Sequence, residues 1–120
     1  MASMSFRDLK VWRRSIDLAK HIYEITRHMP ASERFGLTSQ MRRAAISVPS
    51  NIAEGNARQT RKDYVHFLTL ARGSLAELET QLTIAGELRL IHEAHQIAQQ
   101  IAEVTRMLQA LINSLQRRNP

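Results

Sequence analysis

The stretch Gly36-Leu-Thr-Ser-Gln-Met-Arg-Arg-Ala-Ala-Ile-Ser-Val-Pro-Ser-Asn-Ile-Ala-Glu-Gly55 decides the fold. Wound at 100° per residue, Leu37, Met41, Ala44, Ala45, Val48, Ile52 and Gly55 share one apolar stripe. The stripe continues unbroken past Pro49. A helix-interior proline costs about 3 kcal/mol, because it removes an amide donor and crowds the preceding turn. Continuity on both sides therefore predicts one helix, kinked at Pro49, with the cost offset by packing or function. Ile46, Pro49 and Ala53 form a second apolar face opposite the stripe. A polar arc of Ser39, Gln40, Arg43, Ser47, Ser50, Asn51 and Glu54 completes the wheel. Its serines read as partners for backbone groups freed near the proline. A nucleophilic serine needs a base at defined spacing, and the arc supplies none.

Working outward, a first helix is expected from Ser5, in a weak capping box with Asp8, to Met29, where Pro30 stops it. It carries two apolar stripes well over 90° apart. One is Leu9, Trp12, Ile16, Ala19 and Tyr23; the other is Val11, Leu18, Ile22, Ile25 and Met29. One stripe suffices to pack a helix onto a core, so two imply a second apolar partner and hence oligomerisation. Leu18, Ile22, Ile25, Ile46, Pro49, Ala53 and Glu54 are the expected oligomer interface. A third helix is expected after Thr60 as N-cap, with Asp63 completing Thr-x-x-Asp. Its core face is Tyr64, Phe67, Leu68, Ala71, Leu75, Leu78, Leu82 and Ala85; Gly73 would admit a close neighbour and Gly86 a helix end. A fourth, near His92 to Gln116, repeats Ala94, Ile97, Ile101, Val104, Leu108, Leu111 and Leu115 at alternating three and four, as knobs-into-holes packing requires. The short connections predict an all-α, antiparallel, up-down-up-down four-helix bundle. Residues 1–120 read as a single domain, with 1–4 as an added or alternative-start extension and 117–120 as a frayed tail.

Composition narrows function mainly by exclusion. The 120 residues are 43% hydrophobic and 23% charged, which is globular rather than disordered. The absence of cysteine removes disulfides, thiolate metal sites and thiol nucleophiles, and fits a reducing cytoplasm. No apolar run is long enough for a membrane span and no signal peptide opens the chain. The four glycines never cluster into a phosphate loop. Five histidines invite a metal, yet the Glu-x-x-His motif of di-metal bundles does not occur, so exposed or capping roles are expected. Neither catalytic residues, nor a cofactor, nor a metal site is expected.

Charge is the positive signal. The net charge is +6 and the isoelectric point about 10.8. Residues 1–62 hold twelve Lys/Arg against five Asp/Glu, whereas residues 63–120 hold five against six. Arg13, Arg14, Arg42, Arg43, Arg58, Arg61 and Lys62 are the candidate nucleic-acid contacts, with Arg117-Arg118 at the tail. They suit RNA or DNA bound through phosphates rather than base sequence, since no recognition helix is visible. A structural or protein-interaction adaptor is the alternative.

The residues Phe6-Arg7-Asp8-Leu9-Lys10-Val11-Trp12, Phe35-Gly36-Leu37, Gln40-Met41-Arg42-Arg43-Ala44-Ala45, Ser47-Val48-Pro49-Ser50-Asn51-Ile52-Ala53-Glu54-Gly55 and Gly73-Ser74-Leu75-Ala76-Glu77-Leu78-Glu79-Thr80-Gln81-Leu82 carry a resemblance. In that order they resemble the bacterial four-helix bundle proteins encoded in intervening sequences of large-subunit ribosomal RNA genes. The resemblance runs from about Met4 to the fourth helix. It implies a homopentamer of antiparallel bundles. The family is similar in fold to accessory variability proteins of diversity-generating retroelements, basic pentamers that engage nucleic acid and a reverse transcriptase. By that analogy a reverse transcriptase or another protein is a possible partner.

Overall fold

The computed structural model describes residues 5–117. The extension 1–4 and residues 118–120 of the expected tail, Arg118 among them, lie outside the described residues. Four α-helices account for most of the chain: α1 (Lys10–Thr26), α2 (Leu37–Asn56), α3 (Arg61–Glu87) and α4 (Ala94–Arg117). No strand occurs among the described residues. Each helix packs against its neighbours in the cyclic order α1, α2, α3, α4, with α4 returning to α1. One continuous core of Leu, Ile, Val, Met and Ala runs along a molecule measuring 50 × 19 × 19 Å.

The first helix begins later than its sequence suggests. Ser5 does cap, its hydroxyl accepting from the Arg7 amide at 3.2 Å, but it caps a single 3-10 turn, Phe6–Asp8. Leu9 is extended (φ −82°, ψ 123°), and only then does α1 start. The break lets Phe6 fold back edge-on against Trp12, with ring centroids 5.2 Å apart. A continuous helix would hold residues six apart on different faces. At the other end α1 stops at Thr26, and Pro30 precedes a second 3-10 turn, Ala31–Glu33.

In α2 the stripe through Pro49 is the core. Met41, Val48 and Ile52 are fully buried, with Ala44, Ala45 and Gly55 beside them. Pro49 sits inside the continuous helix. The polar arc turns to α3: Ser47 and Ser74 hydroxyls meet at 2.8 Å, and the Asn51 amide donates to the Ser47 carbonyl at 2.8 Å. Nearer the turn, Asn56 Nδ2 donates to the Tyr64 hydroxyl at 3.1 Å. These contacts step back along α2 as they step forward along α3. Gly55 is where the two helices come closest. A Cβ there would lie 2.9 Å from Phe67 Cβ and 3.0 Å from the Tyr64 carbonyl oxygen.

Thr60 caps α3 as the sequence predicts, accepting from the Asp63 amide at 3.1 Å. Gly73 does not behave as expected: nothing lies within 4 Å of a Cβ built on it, so it faces open space rather than a close neighbour. Helix α3 ends through paired carbonyl bonds, Arg89 N to Gly86 O at 3.0 Å and Leu90 N to Ala85 O at 2.9 Å. Arg89 holds the left-handed conformation (φ 60°) that such an ending requires. In α4 the predicted repeat holds through Leu108. Beyond it Ile112 rather than Leu111, which is only partly covered, takes the buried position, while Leu115 is buried as predicted. A straight helix drifts about 20° per heptad against a strict seven-residue repeat, enough to move the stripe by one residue.

Two measurements check this packing. Gly55→Ala is expected to destabilise by about 1–3 kcal/mol through overpacking, whereas Gly73→Ala is expected to stabilise by up to about 1 kcal/mol; urea unfolding of both variants reads the difference. Burial raises the Tyr64 pKa above its ordinary value, opposed by the Asn56 hydrogen bond, which lowers it. The unfolded chain therefore loses that proton first, and stability should fall as pH rises through about 10 towards the higher folded value. Tyr64→Phe should flatten that decline.

Candidate interface surfaces

Of the two stripes on α1, the aliphatic one enters the core. Val11, Leu18, Ile22 and Met29 are at most 8% exposed, and Ile25 packs partly against them. This corrects the expected interface: Leu18 and Ile22 are spent inside the single chain and Ile25 is largely so. The other stripe lies on the outer side, with Tyr23 exposed, Ile16 half-buried and Trp12 half-buried against the edge of the core. For Trp12 and Tyr23 the physical reason is their polar handles. A buried indole N–H or phenol O–H needs a partner, and the apolar interior offers none.

That outward stripe and the second face of α2 form a groove of about 630 Å³. Trp12, Ile16, Ala19 and Tyr23 line one wall, Ile46, Pro49 and Ala53 the other, and Phe6 closes an end. Short Ala19 and Ala53 make it concave. Lys20, Glu24, Arg27 and Ser50 form its rim. Ile46 is 44% exposed and Tyr23 38%. Of the three expected interface residues of α2 that line it, Ile46 is exposed, Ala53 is half-buried and Pro49 is buried within the chain, a correction like that of Leu18 and Ile22. Glu54 is exposed and pairs with Arg58 at 2.7 Å within its own chain.

The seven basic candidates divide. Arg42 is a structural residue: Nε donates to Thr26 Oγ1 at 2.9 Å, and a terminal nitrogen donates to the Tyr23 carbonyl at 3.3 Å. Its guanidinium also stacks over the Tyr23 ring at 4.5 Å. A cation here joins the Thr26 hydroxyl in donating to the Tyr23 carbonyl in the last turn of α1, and it complements the negative pole of that helix. Arg13 pairs with Asp17 at 2.9 Å, and Arg14 pairs with Glu103 of α4. These pairs are half exposed, a setting where ion pairs contribute about 0–1 kcal/mol, so a phosphate can compete for both arginines. Arg43 borders a polar cleft with Gln40, Ser47, Ser74, Glu77 and Gln81. Arg58, Arg61 and Lys62 are exposed together where α2 turns into α3. Arg58 stacks over Phe67 at 4.6 Å as well as pairing with Glu54.

Among the described residues no group of three or more His, Asp or Glu is placed to hold a metal ion. His21 instead links helices, its Nδ1 2.6 Å from Gln100 Oε1 and its Nε2 3.3 Å from Glu93 Oε2. His92 and His95 are exposed at the start of α4. No helix among the described residues is long and apolar enough to cross a membrane.

A four-helix core, a lateral apolar groove and a basic turn define the class, an all-α helical bundle. The chain belongs to the 23S rRNA-intervening sequence protein family, whose model matches residues 7–110. Among solved structures it is similar to a protein of unknown function from the S23 ribosomal protein family of Bacteroides thetaiotaomicron. That match has a TM-score of 0.80 at 23% identity, covering 86% of this chain and 95% of the other, and shows a shared fold. Comparison with curated proteins gives no match.

Separating structural from available arginines yields a prediction. Arg42→Ala should destabilise by about 1–3 kcal/mol in urea, the scale of hydrogen bonds from a charged donor. Arg13→Ala should change stability by less than about 1 kcal/mol.

Proposed function

We propose that this protein is a non-catalytic, self-associating helical bundle that binds RNA or DNA without sequence preference. The observation that carries the reading is charge segregation: twelve Lys/Arg against five Asp/Glu in residues 1–62, with Arg58, Arg61 and Lys62 gathered at one turn. Phosphate contacts of this kind give affinity without base reading, and bound counterions are released as they form. The apolar groove supports self-association, since Ile46 and Tyr23 stay exposed beside the half-buried Trp12 and Ile16 on its walls. The homopentamer implied by the family resemblance would repeat the basic turn in every copy, so weak contacts add through multivalency.

The groove also favours a second reading. A rim carrying Lys20, Glu24 and Arg27 around aromatic walls suits a protein partner, and an adaptor needs no nucleic acid.

Binding to a labelled structured RNA and to duplex DNA, measured from about 50 to 200 mM salt, separates the two. The nucleic-acid reading expects micromolar affinity at low salt, with the logarithm of the constant falling linearly in the logarithm of salt. Replacing Arg58, Arg61 and Lys62 together by Ala should weaken all sequences alike and make that slope shallower. Absent micromolar binding at low salt, or an affinity indifferent to salt, overturns it. Recovery of one constant protein partner after nuclease treatment supports the adaptor.

A further inference from the structure

Charge is segregated along the bundle as well as along the sequence. Phe6 and Ala53 line the same groove, and Asn56 bonds Tyr64, so the start of α1 and the turn from α2 to α3 lie together. Helix α4 returns to that end: Ala94 stands beside Gly86 late in α3, whereas Gln109 meets Arg72 further back. Residues 5–14, 54–66 and 110–117, which make up this end, hold eight Lys/Arg against three Asp/Glu. All eight cations are exposed. Residues 22–40 and 83–97, at the opposite end, hold three Lys/Arg against four Asp/Glu. Two helix N-termini and two C-termini meet at each end, so the helix dipoles largely cancel and the side chains set the potential.

We infer that this end of the bundle docks double-stranded nucleic acid through its phosphates. The inference rests on the polyanion reading proposed above and names its surface and its substrate class. Two arginines are already poised. Arg7 lies over the Phe6 ring and Arg58 over the Phe67 ring, each at 4.6 Å. A guanidinium resting on a ring keeps its N–H groups in one plane, which suits the paired oxygens of a phosphate. Part of the ordering cost of each long side chain is thereby met before binding. Lys10, Arg61, Lys62 and Arg117 are exposed at the same end. Glu54 pairs with Arg58, but in the exposed setting where an ion pair opens at little cost.

The same aromatic rings favour a duplex over a single strand. Single strands are gripped by bases that stack on open aromatic faces. Among the described residues at this end the rings are half-buried and already partnered. Phe6 lies under Arg7 and meets Trp12 edge-on, and Phe67 lies under Arg58 and meets His66 edge-on. Tyr64 is half-buried, with its hydroxyl bonded to Asn56. A duplex needs no such platform. It carries a phosphate every ~1.7 Å of its axis, about eleven across the 19 Å width of the bundle, so a compact cationic end meets several at once.

Charge-matched variants test this. Lys10→Gln with Arg117→Gln removes two charges from the basic end, and Arg34→Gln with Arg89→Gln removes two from the opposite end. All four side chains are exposed, and circular dichroism melts check that each variant folds. The probes are a mixed-sequence duplex of about 20 base pairs, longer than the 19 Å end it must cover, and an oligouridylate of the same length. At about 0.1 M salt the wild-type protein should bind the duplex about tenfold or more tightly than the single strand. The basic-end variant should bind the duplex about tenfold or more weakly than wild type, with a salt slope shallower by about 2, one for each lost phosphate contact. The opposite-end variant should match wild type within about twofold. Equal losses in the two variants, or oligouridylate bound as tightly as the duplex, overturn the inference while leaving polyanion binding intact. A wild-type protein that binds neither probe overturns the polyanion reading beneath it.

Discussion

The rest of the structure depends on the close approach of α2 and α3 at Gly55. With no Cβ, Gly55 lets the Phe67 side chain and the Tyr64 carbonyl come within about 3 Å of where one would stand. That contact sets how α2 lies on α3, and the Ser47–Ser74 and Asn56–Tyr64 hydrogen bonds hold the same register further along. Once this stripe of α2 is committed to the core, helical geometry decides the remainder. Ile46, Pro49 and Ala53 must face away from α3, and α1 meets them. The proline cost of about 3 kcal/mol is small beside the burial of Met41, Val48 and Ile52, each contributing about 1.5–3 kcal/mol. Packing therefore wins, and the helix runs through Pro49.

The surface then sorts into regions of different physics. The groove is apolar and concave, so its attraction grows with buried area and little with salt. The turn carrying Arg58, Arg61 and Lys62 is exposed and basic, and any attraction it exerts is electrostatic, which salt screens over about 10 Å at 0.1 M. Ion pairs such as Arg13–Asp17 and Arg14–Glu103 lie between these extremes. They lower the local positive potential at rest and open at little cost. The proposed assembly through the groove is thus expected to depend weakly on salt and the proposed polyanion binding steeply, and one titration can tell them apart.

Much of this was legible in the residues. The stripe of α2, the cap at Thr60 and the aliphatic face of α3 follow from periodicity and local hydrogen bonding, which the sequence states directly. The existence of two stripes on α1 was legible too, but not which of them faces out. Both have the right period. Only the polar handles of Trp12 and Tyr23 favoured the wet side, a signal that periodicity ignores. Arg42 was misread for a similar reason: Arg42-Arg43 looks like a basic pair, yet adjacent helical residues point about 100° apart. One reaches the end of α1 and the other borders a cleft with α3. Gly73 was read as admitting a close neighbour because it lacks a side chain, and the structure leaves the space above it open. The break at Leu9 depends on Phe6 folding onto Trp12, a tertiary contact without a local signature.

Pro49 gains a role from its position rather than from its backbone effect alone. It lines the groove yet is itself buried within the chain, so it contributes to the packing where α1 meets α2 rather than offering open area to a partner. Leu or Met there would lose side-chain freedom on burial, whereas proline loses essentially none. Its ring is already fixed, so burying it carries no side-chain ordering cost. Met41, Val48 and Ile52 hold the helix together within the same twenty residues, and this is why the proline is tolerated on the face of α2 where Ile46 stays exposed.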